Sequence, residues 1–421
     1  MSQAVLKEIT HFYLQSADFN GIPLSALLAR VGLPRPRLQQ QLTELIEAGE
    51  ISLAFGSIQS NPHIKMFPDL PTSQQTETLR HESLERICAY PSAVVLQAVV
   101  DETQYKDRPF TKRLALGEPQ LLPLYFDLVV LETYYADPRY HFVFDDYDGS
   151  ISISDKYYHS EDTAGKDKVV LQSFGLGYAS NGDRVAVVYL RYLSDLSPEH
   201  QIVWSTHVRN DNCRMVDDYY RTSILGEWPE ADSVYSAFLH EQFVINEMAR
   251  LMGKPPLFRK TFEKSRPKEF STFLRPTATN YESFIHVLDK LLADNINKKF
   301  FERDVPLEDR ISRGDGTVEV RPRGTLSLLE DWLRMHFRLE EPTMLDEIMK
   351  PLREIRELRS SGPAHRIDED VYDRDYYRKQ DELMKRAYAA LRSLRLVLAI
   401  HPKAKECEVP QWLQEGRIKF Y

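Results

Sequence analysis

An arginine and a histidine six residues apart, Arg359 and His365, are the side chains whose types and spacing best suit catalysis in this sequence. A guanidinium can hold a phosphate and the negative charge that builds on it, and an imidazole can move the proton of a ribose 2′-hydroxyl. Such a pair could cleave RNA without a metal ion. Gly362 and Pro363 lie between the two and break a helix, so His365 can fold back toward Arg359.

The segment before this pair has the pattern of an amphipathic helix. Its apolar residues recur at three- and four-residue steps at Leu345, Ile348, Met349, Leu352 and Ile355. Arg359 follows Ile355 by four residues, which places it on the inward-facing stripe, where an arginine needs a partner or a function. The alternative interpretation is structural: Arg359 complements the helix dipole and His365 caps the next element.

A second pair with the same spacing, Arg395 and His401, serves as a control. It lies in an unbroken helical pattern, where six residues turn the chain by about 600° and the two side chains point apart. The spacing is therefore informative only where a helix is interrupted, as it is between Arg359 and His365.

The C-terminal third, roughly residues 280–401, resembles the HEPN family of small all-helical domains through the motif Arg359-Ser-Ser-Gly-Pro-Ala-His365. Many HEPN proteins are metal-independent ribonucleases of toxin–antitoxin and antiviral systems, in which a homodimer brings two motifs over one RNA-binding cleft. The resemblance implies that Arg359 holds the phosphate and that His365 is the catalytic histidine. Arg356 and Arg366, close to the motif, are expected to help bind RNA.

One position departs from the family pattern. Many active members have Asn, Asp or His directly after the arginine, whereas this chain has Ser360. Some members of the superfamily are non-catalytic scaffolds, so Ser360 favours the alternative of a binding protein.

Composition limits the function classes. The chain has 421 residues, 42% hydrophobic and 28% charged, which is typical of a soluble globular protein with two or three domains. Its net charge of −9 excludes a global basic field, so nucleic-acid binding must use local patches. We expect a cytoplasmic protein without a signal peptide or membrane span, because its three separated cysteines suit a reducing compartment. No motif indicates a metal or a cofactor.

Residues 1–72 resemble a winged helix-turn-helix domain. Three helical patterns are followed by two predicted strands, Ile51–Phe55 and 64–67, that flank a loop. The third helix would present residue types that touch phosphates and base edges: Arg35, Arg37, Gln39, Gln40 and Thr43. Because the domain is close to neutral, docking of a protein is the alternative to DNA or RNA binding.

Residues 80–255 form a predicted mixed α+β domain with an antiparallel meander. Two hairpins are expected, one around Asp145–Gly149 and one around Ser180–Asp183, with a fifth strand at Gln201–Trp204. The aspartates near the first turn suit either a metal site or turn chemistry, and turn chemistry is favoured.

The remainder is predicted to be helical. A basic, aromatic-rich segment at Leu257–Arg275 suits either single-stranded nucleic acid or a solvated linker. Four helices, Tyr281–Phe301, Thr325–Phe337, Met344–Arg359 and Asp373–His401, then predict a bundle, with a tail at 402–421. The expected fold is a multidomain α+β protein with an N-terminal winged helix, a central meander and a C-terminal HEPN-like bundle.

These features predict a metal-independent endoribonuclease, a toxin or antiviral effector restrained or targeted by its N-terminal regions, with RNA as substrate and a homodimer as its assembly. The alternative is a non-catalytic regulator that docks on nucleic acid or protein through the winged helix and dimerises through the bundle.

Overall fold

The fold is mixed α+β, with antiparallel sheets and several helices, as the sequence predicts. The computed structural model describes residues 2–66, 68–262, 266–267, 269–312, 314, 317–337, 342–361 and 370–421. The chain divides into two compact units, Met1–Tyr219 and Tyr220–Tyr421. Within the described residues, no helix has the length and apolarity needed to cross a membrane.

The first unit begins with helices around a small sheet. Its elements are α1 (Ser2–Gln15), β1 (Ile22–Pro23), α2 (Leu24–Val31), α3 (Arg35–Glu47), β2 (Ile51–Phe55), α4 (Thr72–His81) and β3 (Ile87–Pro91). The central strand β3 pairs antiparallel with β1 on one side and β2 on the other. Gly32 ends α2 in the left-handed conformation (φ 62°), which glycine adopts without steric cost.

A buried apolar cluster holds these elements together. The stripe on α1 formed by Val5 and Ile9 packs with Leu42 of α3 and Leu53 of β2. Apolar residues four apart on a helix share a face, so the amphipathic pattern of the sequence is what buries α1 and α3.

The second predicted wing strand is wrong for its described residues 64–66, which form no strand. The backbone there is bonded by side chains, because Gln59 Nε2 donates to the Ile64 carbonyl and the Lys65 amide donates to Gln120 Oε1. The ladder partner of β2 is β3, with Leu53 opposite Ala89.

The rest of the first unit surrounds a larger sheet. Its elements are α5 (Ala93–Val99), α6 (Pro109–Ala115), β4 (Pro123–Asp127), α7 (Glu132–Ala136), β5 (Tyr140–Asp145), β6 (Asp148–Ile153), α8 (Asp155–Tyr158), β7 (Val170–Ala179), β8 (Arg184–Tyr189), α9 (Leu190–Ser194), α10 (Pro198–Thr206), β9 (Cys213–Met215) and α11 (Asp217–Tyr220). The sheet order is β4-β8-β7-β6-β5, and β9 also pairs with β7. All of these pairings are antiparallel, and both predicted hairpins are present.

The predicted fifth strand at Gln201–Trp204 is wrong, because these residues belong to α10. Ser197 caps this helix by accepting the His200 amide at 3.5 Å, and Pro198 occupies its first turn. Serine followed by proline is a helix-start signal that outweighs the short apolar run. Trp204 then lies fully buried against Phe126, with ring centroids 4.9 Å apart.

The aspartates of the first hairpin form its turn. Asp145 pairs with Asp148, and Asp146 at the tip has a φ of 69°. Burial, reinforced by the charges of Asp145 and Asp146, raises the pKa of Asp148 to about 6. This arrangement favours turn chemistry over a metal site.

The second unit is mainly helical. Its elements are β10 (Asp232–Ser233), α12 (Val234–Leu251), α13 (Ala278–Leu291), β11 (Glu308–Ser312), β12 (Val318–Pro322), α14 (Thr325–His336), α15 (Pro342–Ser361), α16 (Asp375–Leu398), α17 (Gln411–Glu415) and β13 (Ile418–Lys419). Helix α16 packs against α12 and α15, and α15 also packs against α13 and α14. Near the C-terminus, Leu413 is buried and β13 pairs in parallel with β10.

The aromatic-rich segment 257–275 contributes two of its rings to this core, so its described residues are not simply a solvated linker. Phe258 and Phe270 are buried in the same apolar cluster as Ile285 and Leu288 of α13. Burying an aromatic ring is favourable in free energy relative to leaving it in water. These two rings are buried, so they cannot stack on the bases of a nucleic acid.

Candidate functional site

Arg359 lies in the last turn of α15 and binds two carboxylates. Its Nη1 donates to Oδ2 of Asp289, on α13, and to Oδ2 of Asp294, in the turn after α13. Arg356, one turn earlier, also uses Nη1, at 2.7 Å from Asp289 Oδ2 and 2.6 Å from Asp294 Oδ1. Two arginines and two carboxylates therefore form one four-membered ion cluster.

Burial differs sharply within this cluster. The Asp289 side chain is fully buried, whereas those of Asp294, Arg356 and Arg359 are 38%, 46% and 29% exposed. Burial opposes ionisation of Asp294, but the hydrogen bonds from Arg359 and Arg356 outweigh it and lower the pKa of that carboxyl. The hydrogen bonds that Arg359 makes to Asp294 and Asp289 raise the pKa of Arg359, so its guanidinium stays cationic.

A cavity of about 720 Å³ opens beside Arg359 in the second unit. Its wall includes three cationic side chains, Lys260, Lys290 and Arg359, and two carboxylates, Glu269 and Glu282. The cavity has the size of a small-molecule or nucleotide site, and its wall mixes cationic and anionic side chains.

Helix α13 lines this cavity with a stripe that the sequence analysis missed. Glu282, His286 and Lys290 are spaced by four residues, so they share one face of the helix, and all three line the cavity. Polar stripes of this kind are ordinary on solvated helices. Only the position of Arg359 beside this stripe marks it as a candidate site.

His286 is the imidazole of the described cavity wall. Partial burial, followed by the charges of Lys290 and Arg359, lowers its pKa, although Asp289 and Asp294 act in the opposite direction. A lowered pKa keeps more of the imidazole neutral near pH 7, the form that accepts a proton.

Two predicted site residues, His365 and Arg366, lie outside the described residues. The predicted approach of His365 to Arg359 therefore stays a prediction. In the control pair the two side chains have separate partners: Arg395 is buried in an ion pair with Glu241, whereas His401 lies in the turn after α16 and accepts the Lys403 amide at 3.3 Å.

The five residues proposed for nucleic-acid contact lie together on α3: Arg35, Arg37, Gln39, Gln40 and Thr43. Three of them make local bonds within the first unit. Gln39 Nε2 donates to the Leu79 carbonyl of α4 at 3.3 Å, Thr43 Oγ1 donates to the Gln39 carbonyl at 2.9 Å, and Gln40 Nε2 donates to Glu44 at 3.1 Å. Helix α4 therefore covers the side of α3 that carries Gln39.

Arg35 and Arg37 are exposed at the start of α3. They can reach a phosphate or an acidic partner, but the Gln40–Glu44 pair adds a carboxylate to the same exposed surface. Phosphate contact positions a protein on DNA without specifying a base.

Across the part of the chain that the structure describes, no three His, Cys, Asp or Glu side chains are grouped as they would be to hold a metal ion.

Comparisons with known protein families, with curated proteins and with solved structures give no match for this chain. Its function is therefore inferred from its residues and their geometry.

Proposed function

We propose that this protein is a metal-independent endoribonuclease of HEPN type, with its site at the cavity beside Arg359. The observation that carries the proposal is the position of the motif arginine in a cavity wall that also holds Lys260, Lys290 and His286. A guanidinium beside ammonium and imidazole groups suits a phosphodiester better than it suits a neutral ligand.

Single-stranded RNA is the substrate class that fits this cavity. Lys290 and Arg359 supply charge for the phosphate, and Phe262, which also lines the cavity, supplies an aromatic face for a base. In the proposed reaction the ribose 2′-oxygen attacks the adjacent phosphorus and the 5′-oxygen leaves, giving a 2′,3′-cyclic phosphate. Arg359 stabilises the charge on the phosphorane-like transition state, and His365 transfers a proton.

The helical packing of the second unit supports a HEPN-like bundle. Helices α13, α14 and α16 all contact α15, whose last turn carries the motif arginine. The homodimer that the resemblance implies stays a prediction, as does the binding of RNA by Arg366.

A winged helix is the domain we propose for the N-terminal region. Its support is the run α1, β1, α2, α3 and β2, with β3, which follows α4, as the central strand between β1 and β2. We propose that this region targets or restrains the nuclease. Because α4 covers part of α3, protein docking is better supported than reading of base edges.

A second candidate function is favoured by the ion cluster itself. Asp289 and Asp294 balance the charges of Arg356 and Arg359, as a purely structural arrangement would. The protein would then be a non-catalytic regulator, with the winged helix for docking and the bundle for dimerisation.

The cleavage assay separates the two candidates. Total RNA incubated with the protein in EDTA is expected to be cut by the wild type and not by His365→Ala, because the proton transfer is lost. His401→Gln, at the control histidine, is expected to cut like the wild type. Equal residual cutting by wild type and His365→Ala would contradict the assignment.

Removing one carboxylate from the ion cluster is expected to strengthen RNA binding. In Asp294→Asn, Arg356 and Arg359 keep only Asp289, so the site gains one net positive charge. We expect the dissociation constant for single-stranded RNA to fall roughly threefold to tenfold, and the salt dependence to steepen by about 0.7 in log–log slope. Fluorescence anisotropy across a salt series measures both quantities.

Asp346→Asn, at an exposed position on α15, is the matched control for the loss of one negative charge. If both variants bind RNA like the wild type, Arg356 and Arg359 do not contact the phosphate backbone.

A further inference from the structure

His286 and Arg359 come from different helices and face the same cavity. His286 lies in the third turn of α13, and Arg359 lies in the last turn of α15. The charge of Arg359 acts on His286, so the two groups are electrostatically coupled. The imidazole is exposed, and a substrate can therefore reach it.

RNA cleavage of the proposed kind needs two proton transfers. A base must take the proton of the 2′-hydroxyl, and an acid must protonate the leaving 5′-oxygen. The motif itself contains one histidine, so the second group must come from elsewhere in the chain or from another subunit. The described cavity wall holds an imidazole, His286, in the same chain as Arg359.

We propose that His286 is the general base of the reaction and that it acts in the same chain as Arg359. This inference rests on the proposed function. His286 takes the 2′-hydroxyl proton as the bond between the 2′-oxygen and phosphorus forms. His365 gives a proton to the 5′-oxygen as the bond between phosphorus and that oxygen breaks, so the protein returns to its starting charge once the two histidines exchange a proton with water.

The surroundings of His286 suit a base. The charged groups that face it are Glu282 and Lys290 on its own helix, Asp289 and Asp294, Arg359 of α15, and Lys260 and Glu269 of the preceding segment. Burial, Lys290 and Arg359 together lower the pKa of His286. The rate should therefore rise with pH through a depressed pKa, and Lys290→Gln should move that rise to higher pH because the imidazolium loses a repulsive neighbour.

The experiment measures kcat and KM for a single-stranded RNA in EDTA across a pH series. For His286→Gln we expect kcat to fall by about 10²-fold or more, KM to change little, and the rise of rate with pH to disappear. His401→Gln is the control for a histidine outside the cavity. Thermal melting verifies that each variant is folded, which is expected because position 286 is exposed.

Mixing His286→Gln with Arg359→Ala tests whether these two groups act in one chain. Without exchange of groups between subunits, the mixture should stay as inactive as its components. Recovery of activity on mixing would overturn the single-chain assignment.

The failures of the two proposals differ. If the wild type cuts RNA, His365→Ala does not, and His286→Gln keeps the wild-type rate and pH profile, then His286 is not the base although the nuclease stands. If the wild type does not cut RNA at all, the proposed function is wrong and the role of His286 with it.

Discussion

Replacing Arg359 by alanine is expected to lower kcat/KM for RNA cleavage by about 10²–10³-fold, the usual effect of removing one charged donor from a developing oxyanion. Arg359 is the motif residue that the structure describes in the cavity wall. Its bonds to Asp289 and Asp294 hold the guanidinium in place before a substrate arrives, so its contribution requires little reorganisation. Steady-state kinetics with a short single-stranded RNA measure the loss.

Two further variants define what is lost. Arg353 is an exposed arginine on the same helix, and it pairs with Glu330 rather than with Asp289 or Asp294. Arg353→Ala should therefore keep wild-type kinetics. Arg359→Lys keeps the charge but loses the planar pair of donors, so an intermediate rate is expected. If Arg359→Ala cuts RNA as fast as Arg353→Ala, Arg359 has only a structural role.

Arg395→Ala is expected to lower the free energy of unfolding of the second unit by about 3–5 kcal/mol, the usual effect of breaking a buried ion pair. Arg395 on α16 and Glu241 on α12 are 3% and 0% exposed, and their Nε and Oε2 atoms lie 2.6 Å apart. Loss of the guanidinium leaves a carboxylate without its counter-charge at the contact of two long helices. Urea denaturation measures the change.

The pH dependence of this loss has a defined sign. Burial already raises the pKa of Glu241, against the effect of Arg395, and removing Arg395 must raise it further. The folded variant therefore takes up a proton as the pH falls, and the destabilisation should be smaller at pH 5 than at pH 7. The double variant Glu241→Leu with Arg395→Met should recover much of the loss, since well-packed apolar replacements of buried pairs are tolerated. If the double variant is no more stable than Arg395→Ala, the two side chains stabilise the fold by more than their charges.

Local patterns in the sequence predict much of the fold. The hairpins formed by β5 with β6 and by β7 with β8 follow from alternating apolar residues around turn residues. The helices α13 to α16 follow from three- and four-residue apolar spacing, although α13 ends at Leu291 rather than at Phe301.

Long-range pairing is not predictable in this way. Strand β2 pairs with β3, which lies beyond α4, rather than with the nearby described residues 64–66. Side chains of Gln59 and Gln120 bond the backbone of residues 64 and 65 instead. Such bonds have no local signature.

The candidate site shows the same limit. The motif identifies Arg359, and its position on an apolar stripe predicts that it has a partner. The partners themselves, Asp289 and Asp294, are 70 and 65 residues away and carry no special spacing. His286 likewise resembles any solvated histidine until α13 and α15 are packed together.

The most direct measurement of the central claim is the chemistry of the cut ends. RNA is incubated with the protein in EDTA, together with a matched RNA that has one 2′-deoxy sugar at the cleavage position, and the products are examined by mass spectrometry. Cleavage by the cavity beside Arg359 should leave a 2′,3′-cyclic phosphate and should stop at the deoxy position. Products with 3′-hydroxyl ends, or cutting that continues at the deoxy sugar, would contradict it.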